Sequence, residues 1–490
     1  MEELRTWLGV AWQYFYLTIV IGYYVLILIA VIKLLLENKN PLKTHAYLLA
    51  MVLIPVVGLL IYLIFGQDYR RHKMFSRKAA IDQARIDRYV EEQLQLASLD
   101  ELIVSHRIKE KKQIIKLLLS NNRSFLTRNN HLSLLINGEN KLAELLPALE
   151  VARDHIHIEY YIFDHDETGR QVAEILARKA QEGVEVRFIY DDVGTSHIHK
   201  SYKKLFDEAG VKYHPFMPVY LPRLSRANYR DHRKIVVIDG HTAFTGGINI
   251  ADRYINKPGR PVWRDTHLKI VGEAVYSLQI VFMLNWYFVS GEKLAFSQQY
   301  FPDLPPVGRQ YIQVAASGPD SDWASIMQAF FMAIVTAKEQ VLITTPYFIP
   351  NEPILTALST AALSGVDVQI IFPFKGDNAI VHAASMSYMK EVLEAGVKVY
   401  LYTGGFIHAK TIVVDGLVSS VGTANMDYRS FDQNFEVNAF IYDEQIAGQL
   451  IEQFEADKQH CVPLHLNRWQ QRPVRRRLAE SAARLLAPLL

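Results

Sequence analysis

Two stretches, HRKIVVID (His232–Asp239) and HAKTIVVD (His408–Asp415), set a histidine, a lysine two residues on and an aspartate five further at one spacing, 176 positions apart. Residues two apart in a strand share a face. His232 and Lys234 therefore project together from one strand and His408 and Lys410 from another, while the apolar filler anchors each strand in a core. Asp239 and Asp415 are each followed by glycine, where a turn is expected. Six residues beyond each aspartate come small residues and an asparagine, GGIN ending at Asn249 and GTAN ending at Asn425. Small residues let backbone approach a ligand closely, and an asparagine amide can serve phosphate oxygens or the His–Lys pair.

A lysine beside each imidazole would repel a metal cation, so no metal is expected. A phosphate diester welcomes the same set. The lysines neutralise its non-bridging oxygens and the charge developing in the transition state. One neutral imidazole attacks phosphorus to give a phosphohistidine. The other, protonated, donates to the leaving alcohol and later takes a proton from the incoming one. One octet cannot fill both roles on opposite sides of phosphorus, but two facing each other across a pseudo-twofold axis can. Each imidazole also needs an orienting partner on its second nitrogen. Asp265 in WRDTHLKI and Glu436 in NFEVNAF, both at the start of a strand after the asparagine, are the candidates. Asp239 and Asp415 are expected to hold the motif's backbone and lysine rather than touch substrate.

The elements around the octets are duplicated too. VARDHIHIEYYIF pairs with TAKEQVLITTPYFIP, GVEVRFIY with GVDVQIIF, and AGVKYHPF with AGVKVYLY. Each half reads strand, helix, strand, helix, strand, octet strand, which predicts an α/β fold with a mostly parallel or mixed sheet flanked by helices. The boundaries expected are 131–300 for the first half, a Pro-rich linker over 301–310, and 311–465 for the second. Residues 67–130 read as a juxtamembrane helical segment with a solvated charged face, and 466–490 as a basic amphipathic tail.

Residues 1–66 read as a transmembrane helix hairpin. No charge occurs from Trp7 to Ile32 or from Ala46 to Phe65, and ~20 helical residues cross a bilayer core. A cleaved signal peptide fits poorly, because the start is acidic and a second run follows. The basic cluster Arg70, Arg71, Lys73, Arg77 and Lys78 directs the rest of the chain to the cytoplasm, against an anionic inner leaflet. The net charge of +2 over 490 residues argues against a nucleic-acid binder. A single cysteine, Cys461, excludes an intramolecular disulfide and a Cys-based metal cage. Arg223, Arg226, Tyr229 and Arg230, ahead of the first octet, are candidate headgroup contacts. Tyr213, Phe216, Tyr220 and Phe406 are candidates for an acyl groove.

The paired H-x-K-x4-D-x6-G-G/T-x-N motifs resemble those of the phospholipase D superfamily. With the two N-terminal spans, the EYYIF and PYFIP strands, the SGPD stretch and the basic C-terminus, the whole chain resembles the bacterial cardiolipin synthases. The resemblance implies two tandem phospholipase D-type domains sharing one site. It implies transfer of a phosphatidyl group from one phosphatidylglycerol to another, giving cardiolipin and glycerol without metal or nucleotide. It implies catalytic residues at His232, Lys234, Asp239, His408, Lys410 and Asp415, with Asn249 and Asn425 lining the site. It favours His232 as nucleophile and His408 as acid/base, although the sequence itself is nearly symmetric. It implies a multi-pass protein of the bacterial inner membrane with both halves cytoplasmic. A homo-oligomer is left open. The octets do not choose between an alcohol and water as acceptor, so hydrolysis and transfer to another alcohol stay open. A nuclease and a non-catalytic lipid scaffold are the more distant alternatives.

Overall fold

Both octets become buried strands that end in the same tight turn. Asp239 and Gly240 lie at φ 50° and 66°, and Asp415 and Gly416 at 52° and 60°. The amide of His241 donates to Ile238 O (3.2 Å) and that of Leu417 to Val414 O (3.1 Å). Two successive positive φ angles make this a type I′ turn, which suits Asp-Gly. A connection this short only joins antiparallel strands.

The computed structural model describes residues 2–36, 41–62, 91–92, 105–195, 198–219, 228–259 and 261–487. These fall into two compact units, an N-terminal helical one and a large α/β one holding both octets. In the large unit the first half supplies β1 (Thr127–Ile136), β2 (His155–Tyr160), β3 (Glu185–Asp191), β4 (Lys212–Phe216), β5 (Lys234–Ile238), β6 (Thr242–Gly246), β7 (Trp263–Arg264) and β8 (Thr266–Gly272). The second half supplies β9 (Gln310–Ser317), β10 (Gln340–Thr344), β11 (Phe348–Ile349), β12 (Asp367–Pro373), β13 (Lys398–Tyr402) and β14 (Phe406–Ile407). It continues with β15 (Thr411–Val414), β16 (Val418–Gly422), β17 (Met426–Asp427), β18 (Glu436–Tyr442) and β19 (Cys461–Leu464).

Fifteen of these strands form one sheet, ordered β19-β13-β12-β10-β15-β16-β18-β9-β1-β8-β6-β5-β2-β3-β4. Apart from β19, the order reads as a palindrome about the β1–β9 pair. That is the pseudo-twofold expected of the duplication. Parallel pairing is confined to β2–β3–β4 and β10–β12–β13; the octet strands run antiparallel to both neighbours. The sheet is thus mixed, because the type I′ turns reverse the chain where helices would otherwise carry it across.

Two segments depart from the sequence expectation. The polar stretch ahead of the halves is not simply solvated: in the helices His106–Glu110 and Lys112–Asn122, Ile108, Ile114, Ile115, Leu118 and Leu119 are buried in the second half's core. Residues 67–90 and 93–104 of that stretch lie outside the described residues. At the other end, the helices Leu466–Gln470 and Val474–Leu485 bury Trp469, Ala483 and Ala487 in the same core, so the basic C-terminal segment is docked on the second half.

In the N-terminal unit the helix Glu2–Leu36 is long and apolar enough to cross a membrane. The second apolar run does not form one continuous helix. It divides into Pro41–Leu53 and Pro55–Ile61, since Pro55 has no N–H to continue the hydrogen-bond ladder. Ala30 and Leu34 of the long helix pack with Met51 and Tyr62.

Candidate active site

The sequence leaves open which acid serves which histidine; in the structure the pairs cross between the halves. His232 Nδ1 lies 2.9 Å and 3.0 Å from the carboxylate oxygens of Glu436, and His408 Nδ1 lies 2.6 Å from Asp265 Oδ2. Backbone builds the crossing. The His232 amide donates to Phe435 O (2.9 Å) and the Phe435 amide to Arg230 O (2.9 Å), setting Asp231 beside Phe435 in a parallel bridge. Likewise β14 pairs with β7, and the His408 amide donates to Arg264 O (2.7 Å). In both cases the histidine's amide bonds the carbonyl immediately before the other half's acid. The two halves are therefore stitched together at the paired histidines and acids.

Each lysine turns back on its own octet. Lys234 Nζ donates to His232 O and Lys410 Nζ to His408 O, both at 2.6 Å. Lys410 Nζ also lies 2.9 Å from both ring nitrogens of His408. All six groups, two imidazoles, two ammoniums and two carboxylates, are buried. Burial pushes His232 down to about 4 against the pull of Glu436, with Lys234 and Lys410 adding to the fall. His408 is pushed to about 3 by burial and Lys410, against Asp265, with Lys234 adding. Each half's ammonium thus acts on the other half's imidazole, as a shared site requires. Lys234 falls to about 7 and Lys410 to about 8, burial again being the leading cause and the carboxylates opposing it. Burial would raise Glu436, yet His232, Lys234 and the Thr423 hydroxyl hold it below the usual carboxylate range. His408 and Lys410 do the same for Asp265. The resting site therefore holds neutral imidazoles, each donating from Nδ1 to a carboxylate, which leaves Nε2 with its lone pair.

Asp239 and Asp415, grouped with the octets' reacting residues in the sequence, lie elsewhere. Each lies five positions along the strand from its lysine, about 16 Å at ~3.3 Å per residue. Asp239 instead accepts from the amides of Arg153, Asp154 and His155 (2.8–3.0 Å), locking the start of β2. Asp415 accepts from the amides of Lys338, Glu339 and Gln340 and from Lys111 Nζ at 2.6 Å. They hold the backbone entering the neighbouring strand rather than that of the motif itself, and neither reaches its lysine. Asn249 accepts from the Ile162 amide (3.2 Å) and donates to Tyr254 OH (2.6 Å), and the ring of Tyr254 stands edge-on to His408 at 5.7 Å. Asn425 is buried beside Asp427, with its amide N bonded to Ser430 Oγ. Arg230, offered as a headgroup contact, is buried on Asp191 (3.3 Å) and Met217 O (3.0 Å). Phe216 is core, while Phe406 packs near His408 at 6.0 Å. Arg223, Arg226 and Tyr220 lie outside the described residues.

Several residues around the pair have no motif to announce them. Tyr161 meets His232 edge-on at 5.0 Å, and Trp263 lies 5.7 Å from His408. The buried Lys141 supports the GGIN turn through Ile248 O (2.8 Å) and Asn249 O (3.2 Å). Thr423 donates its hydroxyl to Glu436 Oε2, and Asn434 Nδ2 donates to Oε1 at 3.3 Å. Thr423 stands where the first half has Gly247, and a Cβ on Gly247 would meet Asp265 Oδ1 at 2.1 Å. The glycine-to-threonine difference at the second position of GGIN and GTAN was the available signal.

Against known proteins, the family model described as "Cardiolipin synthase, PLD-like domain" matches residues 145–259 and 331–458, and one described as "Phospholipase_D-nuclease N-terminal" matches 25–67. A cardiolipin synthase of Geobacillus kaustophilus is 43% identical over 458 residues, covering 93% of this chain and 90% of that one. The major cardiolipin synthase ClsA of Bacillus subtilis is 41% identical, with 95% and 97% covered. The crystal structure of a phosphatidylserine synthase from Haemophilus influenzae superposes with a TM-score of 0.59 at 15% identity, over 77% of this chain and all of that one, which is a likeness of fold. With more than 40% identity over more than 90% of its length and the matched family model, the chain belongs to the cardiolipin synthases of the phospholipase D superfamily.

Proposed function

We propose that this phosphatidyltransferase joins two phosphatidylglycerol molecules into cardiolipin and releases glycerol through a phosphatidyl-histidine on His232. Lys234 and Lys410 bind the non-bridging oxygens of the first phosphodiester. When the anionic phosphodiester binds, His408 takes up a proton from solvent at Nε2; His232 Nε2 attacks phosphorus, and the P–O bond to the headgroup glycerol breaks as His408 delivers that proton to the oxygen. The headgroup hydroxyl of a second phosphatidylglycerol then gives its proton to His408 and attacks phosphorus, breaking the P–N bond and freeing His232. Two phosphatidylglycerols become one cardiolipin and one glycerol, and the site returns to its starting protonation.

The observation that carries this reading is the crossed pair of buried His–carboxylate contacts, which commits both Nδ1 atoms and leaves both Nε2 atoms for one phosphorus. The choice of His232 as nucleophile is supported by the unequal sharing of the acids. Glu436 accepts from Thr423 and Asn434 as well as His232, so its charge is diluted. Asp265 has, besides His408, the adjacent amide of Thr266 (2.7 Å). The less widely shared carboxylate makes His408 the stronger base once the anionic phosphate draws Lys410 off its ring. Asn249 serves by fixing Tyr254 beside His408, Asn425 by shaping the GTAN turn, and Asp239 and Asp415 by anchoring the strands.

The protein is a membrane protein by its apolar N-terminal helix and its family. Completion of a hairpin by the second apolar run, with both halves on the cytoplasmic face over an anionic leaflet, belongs to the same proposal and rests on the Arg70–Lys78 cluster. The test is purified full-length protein given phosphatidylglycerol as sole lipid. Cardiolipin and glycerol in equal amounts are expected; phosphatidic acid as the sole product would make the acceptor water and refute the transferase reading.

A further inference from the structure

The C-terminal helix Val474–Leu485 is docked the opposite way round from an ordinary surface helix. Its inner face is Glu480 and Ala483, with Arg476 and Arg472 paired to Glu480. Arg484 is held by Glu391 at 2.7 Å. It packs along the helix Ala379–Ser387. At ~100° per residue, Val474, Leu478 and Leu485 fall on one stripe on the far side. They are 66%, 65% and 82% exposed. Arg475 and Arg477 flank that stripe on either side, both exposed. An apolar stripe bordered by arginines and turned away from the core has the pattern of a helix lying in a bilayer interface.

The neighbouring loop carries the same character. Phe374 follows the end of β12 and is 56% exposed, and Ile380, at the start of the helix that the C-terminal helix packs on, is 52% exposed. Lys375 between them is exposed too. Asp377 of this loop accepts from Tyr347 OH at 2.8 Å, Tyr347 stacks toward Phe406 at 6.5 Å, and Phe406 toward His408 at 6.0 Å. Loop and candidate site are thus continuous.

Resting on the function proposed above, we infer that the outward stripe of the C-terminal helix, with Phe374 and Ile380, is a membrane-docking face. Its occupant is an anionic phospholipid surface, and it brings the His408 side of the site to the lipid that is consumed. The apolar side chains enter the acyl boundary and Arg475, Arg477 and Lys375 take the headgroup phosphates. A protein partner would not need cations on both flanks of an aliphatic stripe.

The experiment labels single cysteines with an environment-sensitive nitrobenzoxadiazole dye in a Cys461→Ser background. The full-length protein is reconstituted in vesicles of phosphatidylglycerol and phosphatidylcholine in equal parts, or of phosphatidylcholine alone. Leu478→Cys and Phe374→Cys are compared with Leu363→Cys, which is 74% exposed but precedes β12, at the opposite end of that strand. A blue shift of the dye at 478 and 374, quenched by spin-labelled lipid and stronger in phosphatidylglycerol, is expected, with none at 363. Identical spectra at all three sites would overturn the inference. So would a blue shift at 478 that persists in detergent and grows with protein concentration, which would mark a second copy as occupant. Because the dye reads lipid contact without turnover, a failure to make cardiolipin would refute the functional reading and leave this result standing.

Discussion

Crossed acids predict that damage in one half appears in the chemistry of the other. Glu436→Gln keeps shape and removes charge from a fully buried site in which His232 Nδ1 lies 2.9 Å and 3.0 Å from the two oxygens. Losing a charge-assisted hydrogen bond of about 1.5–3 kcal/mol slows the step by roughly 10- to 150-fold. Wherever the amide nitrogen faces His232 the imidazole takes the wrong tautomer, a fault that in a Ser-His-Asp triad costs about 10⁴-fold. Asn434 donates only and keeps the amide oxygen at the Oε1 position, while the Thr423 hydroxyl can turn to accept, so the variant folds. Asp265→Asn imposes the same fault on His408 through its 2.6 Å contact. The two are separated by a lipid whose headgroup is p-nitrophenol, because nitrophenolate leaves without a proton. Rapid mixing then reads the first half-reaction alone. Asp265→Asn should give a burst of nitrophenolate equal to the enzyme and then stall, whereas Glu436→Gln should show no burst. A burst from Glu436→Gln and none from Asp265→Asn would refute both the crossed assignment and the choice of His232 as nucleophile.

Three further outcomes are expected. Thr423→Val concentrates the charge of Glu436 on His232, so the acid limb of kcat/KM moves to higher pH, and Thr423→Ser returns it. In the free enzyme Lys234 and Lys410 are pushed down to about 7 and 8; both ammoniums are present below that window and lost above it, so kcat/KM for phosphatidylglycerol falls as pH rises through it while kcat, measured with the anionic lipid bound, falls later. Asp415→Ala removes the acceptor for three amides and Lys111 and puts a Cβ residue at φ 52° without compensation, a loss of roughly 3–5 kcal/mol read as a lower unfolding temperature of the detergent-solubilised protein, with kcat of the folded fraction retained.

The reacting pair was legible because its information is local. A two-residue spacing fixes a common face, an Asp-Gly step fixes the turn, and repetition of both in register is improbable without a shared purpose. What was not legible depended on distance through space. Asp265 and Glu436 stand out as strand-initial acids, but each follows its own half's histidine by about thirty residues and serves the other half's instead. Only the β7–β14 pairing and the Asp231–Phe435 bridge, invisible in sequence order, decide that. The charged stretch around Lys111 misled for a similar reason. Its cations mark a solvated face until Asp415, some three hundred residues away, supplies a buried partner. Proline did the same in the membrane segment, where composition promised one helix and Pro55 divides it.

The same limit hid the asymmetry that the chemistry needs. Aligning the octets sets Arg230, Asp231 and Arg233 against Phe406, Ile407 and Ala409. Aligning β2 with β10 through their octet partners sets Glu159 against Thr344, and the matched GVEVRFIY and GVDVQIIF segments set Asp191 against Pro373. Behind His232 these charges form one buried network. Arg230 meets Asp191, the Asp231 amide donates to Asp191 Oδ2 (2.9 Å), and Arg233 Nε donates to Glu436 O (3.1 Å). Burial and the adjacent Glu159 push Asp231 well above the usual carboxylate range. Behind His408 the counterparts carry no charge. Two imidazoles with identical surroundings would share the same basicity, and neither would be committed to attack or to proton transfer. A duplicated chain can build a shared site by symmetry alone, but it can divide labour within that site only where the copies have diverged. Here the divergence lies in the residues around each histidine, in the strands behind it and at the second position of the GTAN turn.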